Sequence, residues 1–291
     1  MQEFRTIEKI IPPPKPHMVG DGFRVHHFFP GNGINDLHRM SPFFMLDYNS
    51  KFEFSPSENP RGVGVHPHRG FETVSISFQG KIAHHDSAGN HGIIQDGDVQ
   101  WMTAGSGVLH KEYHEKEFSK QGGIFHMAQL WVNLPAQFKM TTPRYQEITK
   151  SDIAIYPLNG GIVEIIAGEY QGVKGPAKTF SPVLLYKITL QAGGIFETTI
   201  EESFNCCMLI IEGEASYFSE ELATQDHLVL LKNDGHKVQF KSKSGATMLF
   251  MAGEPIHEPI AAYGPFVMNT EAEIQEAFLD FRNGKFGYLD E

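Results

Sequence analysis

Two short segments carry side chains whose types and spacing could do chemistry: His66-Pro-His68 and His110-Lys-Glu112. On a β-strand, side chains at i and i+2 point to the same face. Each trio therefore offers two ligand-type groups to one side of a sheet. If both faces line one barrel interior, three imidazoles and a carboxylate can converge on one ion. Such a set suits Fe, Mn, Co, Ni, Cu or Zn, and ligand identity alone does not select among them. Gly97-Asp98 and Gly105-Ser-Gly107 lie between the trios, and their turn character would bring the second strand back to the first. The chain has 15 histidines, so a single His-x-His pair by chance is unremarkable; a following His-x-Glu after glycine-rich turns is less so. Glu72 lies an even number of residues from His68, and periodicity leaves Glu72 and Glu112 open as alternative carboxylate ligands.

The remaining polar candidates carry blander expectations. His84 and His85 precede Asp86 beside the Asn90 turn and read as a solvated loop, although loops at a barrel mouth do hold substrates. His114 has the strand parity of His110 and Glu112 and reads as an exposed polar residue, with a proton carrier at the rim as the sharper alternative. Arg69 is expected to pair with a carboxylate near the site. Asp98 and Trp101 read as turn and core.

The elements that must position these groups are short and strand-like. Runs such as Thr73–Phe78, Val183–Ile188 and Met208–Ile211 are bounded by turn residues, with strong signals at Gly89-Asn90, Asn159-Gly160-Gly161 and Asp234-Gly235. With 29 glycines and 17 prolines, this pattern reads as all-β sandwiches or barrels. One segment differs. After Thr270, the residues Ile274, Ala277, Phe278 and Phe281 recur at helical spacing, Thr270 and Glu273 form a capping-box pair, and Gly284 is placed to end the helix. An amphipathic helix packing on a β core is expected there, ahead of a partner-binding helix.

A length of 291 residues suits two domains of ordinary size. A boundary is expected near Leu134 to Tyr145, where strand-like Leu130-Trp-Val-Asn133 gives way to a proline-flanked polar segment. This divides the chain into 1–134, a linker at 135–145, and 146–291. Ser77-Phe-Gln-Gly80 and Ile210-Ile-Glu-Gly213 each end a strand in a glycine turn, which hints at two related barrels. The formal net charge is −11, from 24 basic and 35 acidic residues, and no basic run is present. A phosphate backbone would repel such a protein, so direct nucleic-acid binding is disfavoured. Cys206 and Cys207 are the two cysteines, and adjacent thiols provide neither a disulfide framework nor a zinc site. No secretory h-region and no apolar stretch near ~18 residues is present, so a cytoplasmic chain with no membrane partner is expected.

The stretch His66-Pro-His-Arg-Gly-Phe-Glu-Thr-Val74 resembles the signature of the pirin family of the cupin superfamily. Gly97-Asp-Val-Gln-Trp-Met-Thr-Ala-Gly105 with His110-x-Glu112 resembles its second block. Gly253-Glu-Pro255, Gly264-Pro-Phe-Val-Met-Asn-Thr270 and Phe281-Arg-Asn283 resemble its C-terminal end, so the likeness spans nearly the whole chain. The resemblance implies a bicupin, two cupin-type β-barrels with a C-terminal α-helix. It implies one transition metal per chain in the N-terminal barrel, usually iron, with Ni, Co, Mn, Cu or Zn as alternatives. The general cupin pattern places a glutamate where Glu72 stands, but the pirin ligand motif maps onto His66, His68, His110 and Glu112. Glu72 is then left to support or structure. Phe196-Glu-Thr-Thr-Ile200 stands where a second His-x-His pair would fall, so the second barrel is expected to be metal-free.

Two roles follow from the resemblance. One is quercetin 2,3-dioxygenase-type ring opening of a flavonol-like aromatic substrate by O2, with Glu112 as the catalytic base that accepts the 3-hydroxyl proton. Four protein ligands would leave an octahedral ion one or two open positions for this purpose. The other is a non-catalytic, redox- or metal-responsive regulator that binds a transcription factor or metabolic enzyme. The acidic charge suits a protein partner better than DNA. The 23 phenylalanines permit an apolar pocket without specifying one.

Overall fold

Alternation of inward and outward side chains drives most of the chain into strands; along Ile195–Thr199, Phe196 and Thr198 are buried while Ile195, Glu197 and Thr199 are exposed. A computed structural model describes residues 3–218 and 221–290. The three strands expected from sequence lie within Phe71–Gln79, Val183–Leu190 and Asn205–Tyr217. No helix among the described residues is long and apolar enough to cross a membrane.

The chain divides into two compact units, and the division is interleaved. One unit comprises Met1–Pro14, Asn32–Pro42 and Ser151–Pro255; the other comprises Lys15–Gly31, Phe43–Lys150 and Ile256–Glu291. This departs from the sequential split at 134 and 145, because pairing across large sequence separations outweighs proximity along the chain. The Ile7–Ile11 strand pairs with Leu228–Leu231. Arg5, buried, donates to the carbonyls of Gly235, Phe204, Glu201 and Glu202 at 2.6–3.0 Å. The expected linker continues into the strand Arg144–Ile148, which pairs with Val99–Thr103.

The unit built around Phe43–Lys150 holds both ligand trios. Its seven-stranded sheet runs Arg144–Ile148, Val99–Thr103, Phe71–Gln79, Gly123–Asn133, Phe43–Phe54, Phe23–Phe29, His17–Val19. Its four-stranded sheet runs Gly62–His68, Val108–His114, Ile82–Asp86, His91–Ile94. The turn between the last two of these uses Asp86, whose Oδ1 accepts from the backbone of Ala88 and Asn90. The helix Glu271–Arg282 also belongs to this unit, with the Thr270/Glu273 capping box formed. Ile274 and Ala277 are buried as expected, but Phe281 is exposed and Asp280 is buried in its place. Asp280 bonds the Arg69 guanidinium at 2.9 Å, and that buried partner turns the polar residue inward. Lys139 staples the same region, its Nζ donating to Gly70 O, Asn133 Oδ1 and Val267 O at 2.7–2.9 Å.

The other unit carries a ten-stranded sheet centred on Asn205–Tyr217 and Ala246–Gly253. Its interior is filled by apolar and aromatic side chains, among them Phe196, Tyr186, Phe250, Met208 and Ile210. Cys206 and Cys207 are buried there as free thiols, and burial pushes the Cys206 thiol up to about 12.

Candidate metal centre

Strands Gly62–His68 and Val108–His114 pair antiparallel, with His110 opposite His66 and Val108 opposite His68. A register shift between His110 and Glu112 sets Glu112 opposite Val63. Gly70 closes the first trio with φ +87°, and a Cβ there would meet the Val267 carbonyl oxygen at 2.0 Å. One ligand atom each from His66, His68 and His110 lie within 4.8 Å of one another; so do those of His84, His110 and Glu112. His110 belongs to both groups: the first holds His66 and His68, and the second holds Glu112. His84, expected in a solvated loop, joins the second.

The hydrogen bonds set the imidazole tautomers. His66 Nδ1 faces the Gly64 carbonyl at 2.8 Å, and His68 Nδ1 faces the Pro265 carbonyl at 3.3 Å. A carbonyl only accepts, so both Nδ1 atoms carry the proton and both Nε2 lone pairs are free. Asp86 Oδ2 accepts from His84 Nε2 at 3.3 Å, which leaves His84 Nδ1 as an acceptor shared by Gln100 Nε2 at 3.3 Å and His110 Nδ1 at 3.5 Å. His110 then keeps its proton on Nδ1 and a lone pair on Nε2. That Nε2 is buried without a hydrogen-bond partner. An unsatisfied buried nitrogen is costly, and coordination would satisfy it. Burial and the neighbouring His66 hold both His68 and His110 well below the usual histidine value, so both are neutral at pH 7. The donor set fits a transition ion that takes imidazole and carboxylate ligands.

Glu112 is held by three neutral donors. Ser75 Oγ and Gln100 Nε2 donate to Oε1 at 3.1 and 3.0 Å, and Gln129 Nε2 donates to Oε2 at 2.8 Å. Tyr145, from the expected linker, donates to Gln100 Oε1 at 3.3 Å and so points the Gln100 amide nitrogen inward. Burial opposes ionisation of Asp86, but hydrogen bonds from His84 and Asn90 hold its carboxyl below the usual range. A cavity of about 200 Å³ opens beside the cluster. His66, His68 and Glu112 form one side, and Met45, Asp47, Met127, Gln129 and Trp131 are among the residues that line the rest.

Glu72 is not part of this cluster. Ser75 shares the face of Phe71 and Thr73, so Glu72 points to the opposite face of its strand, where Thr103 Oγ1 donates to it at 2.7 Å. Arg144 lies 3.8 Å from the same oxygen. Burial raises its carboxyl to about 7 against the hydrogen bonds of Thr103 and Trp101 and the charge of Arg144. His114, expected to be exposed, is fully buried among Phe23, Phe54, Phe118 and Phe125, with Nε2 bonded to the Gly22 carbonyl at 2.8 Å. Its parity with His110 and Glu112 is real, but the strand has by then entered an aromatic core. Asp98 serves a turn, accepting from the backbone of Gln95 and Lys150, and Trp101 is core.

Comparison with known proteins agrees with this architecture. The Pirin family profile matches residues 22–132, and the Pirin C-terminal cupin domain matches residues 185–287. A Pseudomonas aeruginosa protein named "Putative quercetin 2,3-dioxygenase" is 43% identical over 272 residues, covering 93% of this chain and 94% of that one. A pirin-like protein of Solanum lycopersicum is 41% identical over 272 residues, covering 92% and 89%. The crystal structure of quercetin 2,3-dioxygenase from Acinetobacter baumannii matches with a TM-score of 0.93 and 42% identity, over 99% of this chain and 100% of that one. With a cupin-type domain in each half and relatives of this identity along nearly its whole length, the chain belongs to the pirin family of the cupin superfamily.

Proposed function

We propose that this protein is a metal-dependent dioxygenase that opens a flavonol ring with O2 and releases carbon monoxide. His66, His68, His110 and Glu112 would hold one transition ion, iron being the family's usual metal. The observation that carries the proposal is the set of three Nε2 lone pairs left free by Nδ1 hydrogen bonds, beside a carboxylate and an apolar cavity. The names of the P. aeruginosa and A. baumannii relatives support the choice of substrate class. When bound, the ion would supply Lewis-acid activation of the flavonol and of O2.

The chain's own residues supply the rest. Ser75 and Gln100 both donate to Glu112 Oε1, whereas Oε2 accepts only from Gln129 and keeps a lone pair. That single lone pair would serve either the ion or the flavonol 3-hydroxyl proton, so Glu112 would take the proton on Oε2 only when that oxygen is not bound to the ion. Met45, Met127 and Trp131 exclude water around the reacting ring. The cavity of about 200 Å³ is below the ~300–1,000 Å³ usual for whole ligands, so it encloses one end of a flavonol and leaves the other at the mouth.

The test is O2 uptake and carbon monoxide release by the metal-loaded protein with quercetin. Turnover should follow metal occupancy and fall at least about 100-fold in Glu112→Gln, the usual scale for a lost general base. Absence of turnover at full occupancy would overturn the enzymatic reading in favour of the regulatory one.

A further inference from the structure

The cavity wall supplied by the seven-stranded sheet contains polar groups that neither the metal ligands nor the proposed proton transfer uses. Met45, Asp47 and Asn49 alternate along Phe43–Phe54 and all line the cavity. Asp47 stands opposite Gln129, the donor to Glu112, and Asn49 stands opposite Met127. Asp47 therefore lies on the same inner face as the residue that holds the catalytic carboxylate.

Asp47 is paired with His27. His27 Nδ1 contacts Asp47 Oδ1 at 2.6 Å, and His27 Nε2 contacts the Pro30 carbonyl at 2.9 Å. Both neighbours are acceptors, so both ring nitrogens donate and the ring is an imidazolium. The hydrogen bond to Asp47 raises the His27 pKa against burial, in agreement. The pair is neutral as a unit, which lets it face an apolar cavity. One acceptor on each residue is left over. Asp47 Oδ2 has no hydrogen bond among the described residues, and Asn49 Oδ1 is buried without a partner. Val25, Met45 and Met127 around them carry no side-chain donor, and the Trp131 Nε1–H in the same wall is buried without a partner and bonds neither acceptor. Asp47 Oδ2 and Asn49 Oδ1 are thus left for a donor that the ligand brings.

We propose that Asp47 and Asn49 form a specificity subsite that accepts a hydrogen bond from a hydroxyl carried away from the metal-chelating edge of the ligand. The proposal rests on the flavonol reading of the same cavity and sharpens it. The preferred ligand is a polyhydroxylated flavonol, and an otherwise equal flavonol bearing only the chelating 3-hydroxy-4-keto group is discriminated against. Hydrophobic contact alone would not discriminate in this direction, because a hydroxyl entering an apolar wall gains nothing. An acceptor left unpaired does, because the bare analogue leaves Asp47 Oδ2 desolvated.

The experiment is anaerobic calorimetric titration of the metal-loaded full chain with quercetin and with 3-hydroxyflavone, so that binding is read without turnover. Wild type should bind quercetin at least about tenfold more tightly. Asp47→Ala removes the acceptor from that wall, and His27, without the carboxylate that holds its second proton, becomes a neutral ring bonded to the Pro30 carbonyl. Quercetin affinity should fall about tenfold or more while that of 3-hydroxyflavone stays within about threefold. Asn49→Ala, a second variant in the same wall, should shrink the preference in the same direction. Equal affinity of wild type for the two ligands, or a preference unchanged in both variants, overturns the subsite and leaves the flavonol reading standing. No binding of either ligand to wild type overturns both.

Discussion

Glu72 and Glu112 are both buried carboxyls within a few residues of the ligand trios, and the pH dependence of stability separates their roles. Folding raises the Glu72 carboxyl to about 7 from an ordinary 4.5. The native state therefore binds a proton more tightly than the unfolded chain, and the protonated form is the one burial favours. The sign follows. The stabilising share from protonation is complete below about 4.5, is lost as pH rises through about 7, and above that the native state carries a desolvated charge. The gap between the two values corresponds to about 3 kcal/mol. Glu72→Gln is neutral throughout and keeps an oxygen for the Thr103 hydroxyl. Its stability relative to wild type should rise by about 3 kcal/mol between pH 4.5 and pH 8, with metal occupancy unchanged. Trp101 and Trp131 are the protein's two tryptophans, and both lie in the unit that carries the site, so urea unfolding followed by their emission reports that unit. Parallel stability–pH curves for the two proteins would refute the buried, weakly compensated carboxyl. Loss of metal from Glu72→Gln would refute the assignment of Glu112.

Other expectations are simpler. His66→Ala and His110→Ala should each remove most of the bound metal, measured by elemental analysis, with the circular dichroism of the fold retained. His84→Ala should keep the ion but weaken it about 10- to 100-fold in a chelator competition, because His84 orients the His110 ring. Complete loss of metal there would make His84 itself a ligand. Lys139→Met strands three acceptors, and should cost about 3 kcal/mol or more in the same unfolding assay.

The part of the site that was legible in the sequence is the part governed by local geometry. A period of two along a strand fixes which side chains share a face, so His66 with His68 and His110 with Glu112 could be paired from spacing alone. His84 was not legible, because its place opposite Glu112 depends on the neighbouring strand pairing rather than on its own flanks, which carry turn residues. His114 shows the converse: parity was right, yet burial was set by phenylalanines from four separate segments. Asp280 was masked by Phe281 in the helical stripe, since the Arg69 that draws it inward lies 211 residues earlier. Met45, Asp47 and Asn49 alternate in a manner that could have marked an inward polar face. Nothing local ties them to His27 or to a metal.

The interleaved division of the chain has a consequence during synthesis. Residues 15–150 hold all four proposed ligands, but the carbonyl that orients His68, the carboxylate that neutralises Arg69 and one acceptor of Lys139 come from 256–291. At translation speeds of ~5–20 residues per second, the intervening hundred or so residues take on the order of 5–20 s to emerge. Throughout that interval the nascent ligands have no partner to lock the last of their ring orientations. A ribosome stalled before residue 256 would display a histidine cluster in which His68 still lacks the carbonyl that orients its ring.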